Sequence, residues 1–173
     1  MTIFHLRRSA LATLATLALA ACTYSATNLP AIDPSDEAAC ALDGMLLRDF
    51  PGPKAQVRFA DGKTSYFCDV KELLGEMLAP EQRRATSAFY VQDMGSANWQ
   101  QPQGHWIGAH DALYVLGSKA QGSMGPAIAS FSRQVDAEAF VRKEGGRVLR
   151  FKQITPALLN EASGAMPTHA MAH

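Results

Sequence analysis

The chain has 173 residues, of which 47% are apolar and 18% are charged. A length of about 150 residues is typical of one domain, and this apolar share is large enough to build a hydrophobic core. The 16 basic and 16 acidic residues cancel, which disfavours a nucleic-acid-binding protein because phosphate neutralisation needs a basic surplus. The low charged fraction also argues against a disordered acidic or basic tail protein.

The first 21 residues have the pattern of a secretory signal peptide. His5, Arg7 and Arg8 form a basic start, and residues 10–21 are Ala and Leu interrupted by two Thr. This stretch is shorter than the about 20 apolar residues that a membrane-spanning helix needs, and it matches the core of a cleaved signal. Without this leader the chain has 14 basic and 16 acidic residues, a net charge of −2.

Cys22 follows the leader in the segment Leu19-Ala-Ala-Cys22, which is similar to the lipobox of bacterial lipoproteins. The resemblance implies that a diacylglyceryl group is attached to Cys22 and that cleavage occurs before it. Stable anchoring needs about two acyl chains, which such a cysteine supplies. We therefore expect a mature protein anchored on the periplasmic side of a bacterial membrane, and Thr23 favours the outer membrane. The alternative is an ordinary signal peptide with a chance cysteine.

The mature chain divides by composition into a tether, two similar units and a tail. Residues 22–38 predict a polar tether, because Pro, Asn, Asp and Ser follow one another without periodicity. Residues 39–94 and 109–155 each predict a β-β-α-β unit, joined by a connecting loop over 95–108. Residues 156–173 predict a short helix and a small-residue tail. Each unit alone is near the lower size limit for a core, so we expect an α+β fold with antiparallel hairpins and the two units packed together.

In the first unit, alternating apolar residues over 55–59 and their return at 64–67 predict a β-hairpin. Asp61-Gly62 between them predicts a type I′ turn. Asp69 is placed to cap the following helix, and Glu72 completes the capping-box pattern. The apolar helical stripe and the last strand of the unit occupy residues 70–78 and 88–92.

In the second unit, apolar runs at 112–116 and 127–131 predict two strands. Asp136 is expected to cap a short helix, and Gly145-Gly146 is expected to end it. Residues 147–151 predict the last strand. The element order is therefore the same as in the first unit.

Common catalytic motifs are absent from the sequence. It contains no Gly-x-Ser-x-Gly, no phosphate-binding loop, no Gly-x-Gly-x-x-Gly and no His-Glu-x-x-His. The carboxylates occur mostly at predicted turns and caps. An ordinary hydrolase or nucleotide enzyme is thus disfavoured.

Sulfur-containing residues are the candidates for chemistry. Met45, Met94 and Met124 lie in glycine-bordered predicted loops, where burial gives no general reason to prefer Met. Cys40 lies five residues before Met45, and Cys68 directly precedes the predicted helix cap. Thiolate, thioether and imidazole together suit a soft ion, above all Cu(I). The alternative for each Met is ordinary packing.

The two inner cysteines have other interpretations that stay open. In an oxidising compartment Cys40 and Cys68 are also a candidate disulfide, which would close a loop of about 28 residues and stabilise the fold by about 3–4 kcal/mol. Cys68 near a helix N-terminus is equally a candidate for a thiol of lowered pKa.

Histidines are the remaining candidate ligands. His110 precedes a strand of the second unit and is placed to face the loop that holds Met124. The tail ends in His169, Met171 and His173, which suit a solvent-facing metal site. A frayed terminus is the commoner meaning of such a tail.

Five segments together resemble one family. They are Cys40-Ala-Leu-Asp-Gly-Met45, Asp49-Phe-Pro-Gly-Pro-Lys-Ala-Gln-Val57, Tyr66-Phe-Cys-Asp69, Trp106-Ile-Gly-Ala-His110-Asp-Ala-Leu-Tyr-Val115 and Gly122-Ser-Met-Gly-Pro126. These segments, and the lipobox, are similar to those of the NosL family, the lipoproteins that accompany nitrous-oxide reductase. The resemblance covers roughly residues 38–155 in register.

The resemblance implies a periplasmic copper chaperone that binds Cu(I). Its cargo would go to apo nitrous-oxide reductase through an ABC-type membrane assembly complex. Carried over by position, the ligands are Cys40 and Met124, one from each half, with His110 completing the site. Secondary candidates are Met45, Cys68, His169, Met171 and His173.

One position departs from the family pattern. Many relatives have a second cysteine where this chain has Asp43, so a Cys-x-x-Cys clamp is missing. The resemblance then implies a low-coordinate, exchangeable site.

The resulting prediction is a membrane-anchored, non-enzymatic Cu(I) metallochaperone. Two other classes are weighed against it. One is a thiol-dependent enzyme that acts on organometals or disulfides, and the other is a disulfide-stapled structural lipoprotein without a metal.

Overall fold

The computed structural model describes residues 28–79 and 85–161. The predicted signal peptide, Cys22 and the tail residues His169, Met171 and His173 lie outside the described residues. Within the described ranges, no helix has the length and apolar character needed to cross a membrane.

The described chain forms a mixed α+β fold with antiparallel sheets and three α-helices. In chain order the elements are β1 (Ala55–Phe59), β2 (Thr64–Phe67), α1 (Val70–Leu78), β3 (Thr86–Gln92), β4 (Trp106–Gly108), β5 (Leu113–Leu116), β6 (Gln121–Gly122), β7 (Gly125–Pro126), β8 (Ala129–Phe131), α2 (Gln134–Glu144), β9 (Arg147–Arg150) and α3 (Pro156–Glu161). Single 3-10 turns lie at Leu47–Asp49 and Phe151–Gln153.

The first sheet has four strands in the order β2-β1-β3-β4. Helix α1 packs on it through a fully buried apolar stripe, which consists of Val70, Leu73, Leu74 and Met77. The predicted capping box is confirmed: Asp69 accepts a hydrogen bond from the Lys71 N–H at 2.8 Å, and the Glu72 carboxylate accepts one from the Asp69 N–H at 3.3 Å. This cap fixes the helix start directly after β2.

The second sheet has three strands in the order β8-β5-β9, so β5 lies in the middle. Helix α2 covers it and contributes Ala137 to a separate apolar cluster with Phe131. Gly145 ends the helix with a positive φ of 77°, as the sequence predicts. Between β5 and β8, the strands β6 and β7 form a two-stranded hairpin of their own.

Three local predictions are wrong. Asp136 is not the cap of α2, because the helix begins earlier, after Arg133, and Asp136 instead pairs with Arg133 at 2.6 Å. The turn after β1 is not type I′, because that turn needs a positive φ at both central residues and only Gly62 has one. The predicted strand over 127–131 begins only at Ala129.

The last described part of the predicted tether lies along the first sheet. The Gln56 side chain exchanges two hydrogen bonds with the backbone of Ile32, at 2.9 and 3.0 Å. The Tyr90 hydroxyl donates to the Leu29 carbonyl at 2.8 Å. These bonds fix the chain that enters the fold against β1 and β3.

Candidate metal site

The two inner cysteines lie together at one edge of the first sheet. Cys68 directly follows β2, and Cys40 is bridged alongside Tyr66 of the same strand. An Ala41 N–H bond to the Tyr66 carbonyl at 2.8 Å fixes this register. Both cysteines are free thiols and are buried, with 4% and 1% of their surfaces exposed.

Two carboxylates complete a compact group around these thiols. Cys40, Asp43, Cys68 and Glu72 each offer one ligand atom, and these atoms all lie within 4.8 Å of one another. One oxygen of Glu72 accepts from the Cys40 thiol at 3.3 Å and from the Cys68 thiol at 3.6 Å. Glu72, the capping-box partner of Asp69, is therefore also the residue whose carboxylate contacts both sulfurs.

Burial makes negative charge costly in and beside this group. Burial raises the pKa of Cys68 to about 12, the Ser123 hydrogen bond opposes the rise, and the nearby Glu72 and Cys40 add to it. Burial likewise raises the pKa of the Asp69 carboxyl to about 6. Both shifts penalise negative charge at this edge of the sheet. A bound soft cation would supply the compensating charge and convert thiol to thiolate.

The hairpin that carries Met124 comes from the second half of the chain and contacts the Cys68 backbone. Met124 lies between β6 and β7, and 68% of its surface is exposed. Its neighbour Ser123 donates a hydrogen bond to the Cys68 carbonyl at 3.3 Å. The tip of the hairpin therefore contacts the backbone at Cys68, and Met124 is the next residue along it. Its role as a ligand stays a prediction.

Met45 is a thioether beside the pair. It is half-buried and packs against the cluster formed by Cys40, Leu47 and Cys68. Its carbonyl accepts a hydrogen bond from the Cys40 N–H at 2.8 Å. Met94 has the ordinary packing role instead, because it belongs to the apolar cluster of the second sheet.

The structure does not bring His110 to the cysteines. Its ring makes edge contacts with Phe89 and Phe151, at centroid distances of 5.8 and 4.9 Å. It follows β4, whereas Cys68 follows β2, and these strands are the two opposite edges of the first sheet. In the described part of the chain, His110 is not a member of the four-residue group. Its role as a ligand stays a prediction.

Glu72 is the site residue that sequence reasoning assigned only to capping. The capping box was the available signal, because it turns the Glu72 side chain back to the Asp69 N–H, directly beside Cys68. Cys68 is as good a candidate ligand as Cys40, because both sulfurs contact the same Glu72 oxygen.

The donor chemistry suits Cu(I) as cargo. Two thiols and the flanking Met45 thioether are soft ligands, which prefer soft ions such as Cu(I) to Mg²⁺ or Ca²⁺. Glu72 and Asp43 are harder ligands, and Glu72 already accepts hydrogen bonds from both thiols. The group can therefore hold a soft ion by sulfur and keep carboxylates beside it.

Two copper-binding lipoproteins of the same name are similar to this chain in sequence. The chain is 45% identical over 145 residues to the "Copper-binding lipoprotein NosL" of Stutzerimonas stutzeri, covering 81% of this chain and 75% of the relative. It is 42% identical over 121 residues to the protein of the same name from Achromobacter cycloclastes, covering 66% of this chain and 62% of the relative.

A solved structure agrees with these sequence matches. The crystal structure of the copper chaperone NosL from Shewanella denitrificans aligns with a TM-score of 0.68 and 37% identity, over 74% of this chain and 97% of that one. Residues 31–159 match the profile of the NosL family. The chain therefore belongs to the NosL family.

Proposed function

We propose that this chain is a membrane-anchored copper chaperone that carries Cu(I) and catalyses no reaction. The observation that carries the proposal is the pair of buried thiols, Cys40 and Cys68, with the Met124 hairpin hydrogen-bonded to Cys68. The names of the relatives, a copper-binding lipoprotein and a copper chaperone, support the same cargo.

The proposed ligand set starts from the two thiol sulfurs, which lie together, and adds Met124 from the hairpin that contacts Cys68. Cys40 and Cys68 supply thiolates from the first sheet, and Met124 supplies a thioether from the second half. Three soft ligands hold Cu(I) and leave a coordination position for a ligand of the acceptor. His110 would join this set only through a rearrangement of the turn after β4, and a His110→Ala variant tests it.

The two halves are proposed to be versions of one β-β-α-β unit, over residues 39–94 and 109–155. In each, the first strand lies between the other two: β1 between β2 and β3, and β5 between β8 and β9. Because the ligands come from both halves, the affinity depends on how the halves are placed. A crosslink that locks the halves should slow copper transfer, and unchanged transfer would contradict this step.

Delivery is proposed to occur on the periplasmic side of a membrane, where the lipid on Cys22 holds the protein. The acceptors are apo nitrous-oxide reductase and an ABC-type membrane assembly complex, as the family resemblance implies. Met124 and Leu42, which lies in the turn after Cys40, are 68% and 64% exposed. An acceptor can therefore reach the thioether side of the site without unfolding the first sheet.

Competition for Cu(I) against a colorimetric chelator tests the proposal. Wild type should bind one Cu(I) per chain, and Cys40→Ala and Met124→Ala should bind it more weakly. Val135→Ala is the matched control, because Val135 is an exposed apolar residue on α2. Full affinity in both site variants would place the copper elsewhere.

The same samples separate the two rival functions. If the wild type has no free thiol at Cys40 or Cys68 and no copper affinity, the result would favour a disulfide-stapled structural lipoprotein. Turnover of organomercurials or disulfides would favour a thiol-dependent enzyme. The proposal requires free thiols, copper affinity and no turnover.

A further inference from the structure

Met124 is carried by an element too small to hold itself in place. Strands β6 and β7 have two residues each, and even a full two-stranded hairpin is only marginally stable alone. Its position must therefore come from contacts with the rest of the fold.

Those contacts lie at Gly122, the last residue of β6. A Cβ on Gly122 would lie 2.8 Å from the Ala127 Cβ and 3.2 Å from a carboxylate oxygen of Asp69. The first distance is shorter than real side chains allow. Ala127 directly follows β7, so a side chain at position 122 would displace the hairpin's return strand, and it would also press on the cap of α1 at Asp69.

The loop before β1 and Trp99 also contact the hairpin. A Cβ on Gly52 would lie 3.4 Å from the Gly122 Cα. The Trp99 indole donates to the Gln121 carbonyl at 3.0 Å, and the Trp99 carbonyl accepts from the Gly52 N–H at 2.7 Å. The hairpin therefore also rests on the loop before β1 and on Trp99.

Lys54 fixes that loop. Its buried ammonium donates to the carbonyls of Phe50, Pro51 and Gly52, at 2.9, 3.0 and 2.9 Å. Three hydrogen bonds from this one side chain thus hold the loop that contacts Gly122.

We infer that Gly122 is a positioning residue for copper: it touches no cargo, and it sets the distance from the Met124 thioether to the cysteine pair. The inference rests on the proposed function, because it needs Met124 as a ligand. Gly122→Ala should move the hairpin away from Asp69 and Ala127 and weaken Cu(I) binding about tenfold.

A double-mutant cycle separates this role from a general structural one. Cu(I) affinity is measured by chelator competition for wild type, Gly122→Ala, Met124→Ala and the double variant. If Gly122 acts through Met124, Gly122→Ala lowers affinity in the wild-type background and has no further effect in Met124→Ala. Equal losses in both backgrounds, or no loss in either, would overturn the inference.

Two further variants keep the result interpretable. Gly122→Ala combined with Ala127→Gly removes the 2.8 Å contact and should restore most of the affinity. Gly75→Ala adds the same methyl group to α1, where nothing lies within 4 Å, and should leave affinity unchanged. Failure of rescue would count against the positioning role.

The proposed function fails in a distinguishable way. If the single variant Met124→Ala binds Cu(I) as tightly as wild type, Met124 is not a ligand, and the inference about Gly122 fails with it. A loss in Met124→Ala without one in Gly122→Ala would overturn only the inference.

Discussion

The two regions that supply sulfur are held in very different ways. Cys40 and Cys68 are buried at the edge of a four-stranded sheet, beside a capped helix. Met124 is mostly exposed on a hairpin of two-residue strands. The difference suggests a division of roles, in which the first sheet retains the cargo and the hairpin adjusts how easily it leaves.

The largest effect should follow from a change in the first region. Cys40→Ser removes a thiolate, the strongest of the proposed ligands, and should weaken Cu(I) binding about a thousandfold, or about 4 kcal/mol. Met124→Leu keeps the apolar shape but removes a neutral thioether, and should cost about tenfold. Chelator competition measures both, and equal losses would remove the distinction between the regions.

Stability should depend on the first region more than on the hairpin. Leu73 is fully buried under the first sheet, so Leu73→Ala should lower the free energy of unfolding by about 3 kcal/mol. Urea denaturation measures this loss. The protein that remains folded should bind Cu(I) normally, and a matching loss of affinity would show that stability and binding are not separable.

Ser123→Ala should change copper affinity more than stability, which is the reverse of the result expected for Leu73→Ala. It removes the hydrogen bond to the Cys68 carbonyl and should lower the free energy of unfolding by only about 1 kcal/mol. Its copper affinity should nevertheless fall several-fold, because Ser123 holds the hairpin against the pair. An affinity equal to wild type would show that this bond does not place Met124.

The last comparison concerns how stability changes with pH, through the loop that contacts the hairpin. Burial lowers the pKa of Lys54 from 10.5 to about 8 in the folded protein. Between these values the unfolded chain binds more protons, so stability rises with pH through this window. Wild type should therefore gain stability relative to Lys54→Met from pH 8 to 10.5. Urea midpoints of both proteins at pH 7 and pH 10 check this, and a constant difference would contradict it.

Local patterns predicted much of the first region. The alternation over 55–59 and the Asp69-Glu72 pair were sufficient for β1 and the cap of α1, because neighbouring residues determine both features. Cys68 was located next to that cap for the same reason.

The sequence patterns did not predict the hairpin of β6 and β7, because the contacts that support it come from residues distant in the sequence. Residues 121–126 are rich in Gly and Pro and have no alternation, so they resemble a loop. They form β6 and β7 because Trp99, Gly52 and Asp69 surround them. Likewise, nothing near His110 in sequence indicates that Phe89 and Phe151 flank its ring.

The central claim is that one Cu(I) is bound by sulfur from both regions. Copper K-edge X-ray absorption of the Cu(I)-loaded protein tests it most directly, with Met124→Leu measured beside wild type. We predict a copper–sulfur shell that loses one sulfur in Met124→Leu and retains the contribution of both thiolates. An identical sulfur shell in the two proteins would contradict the claim.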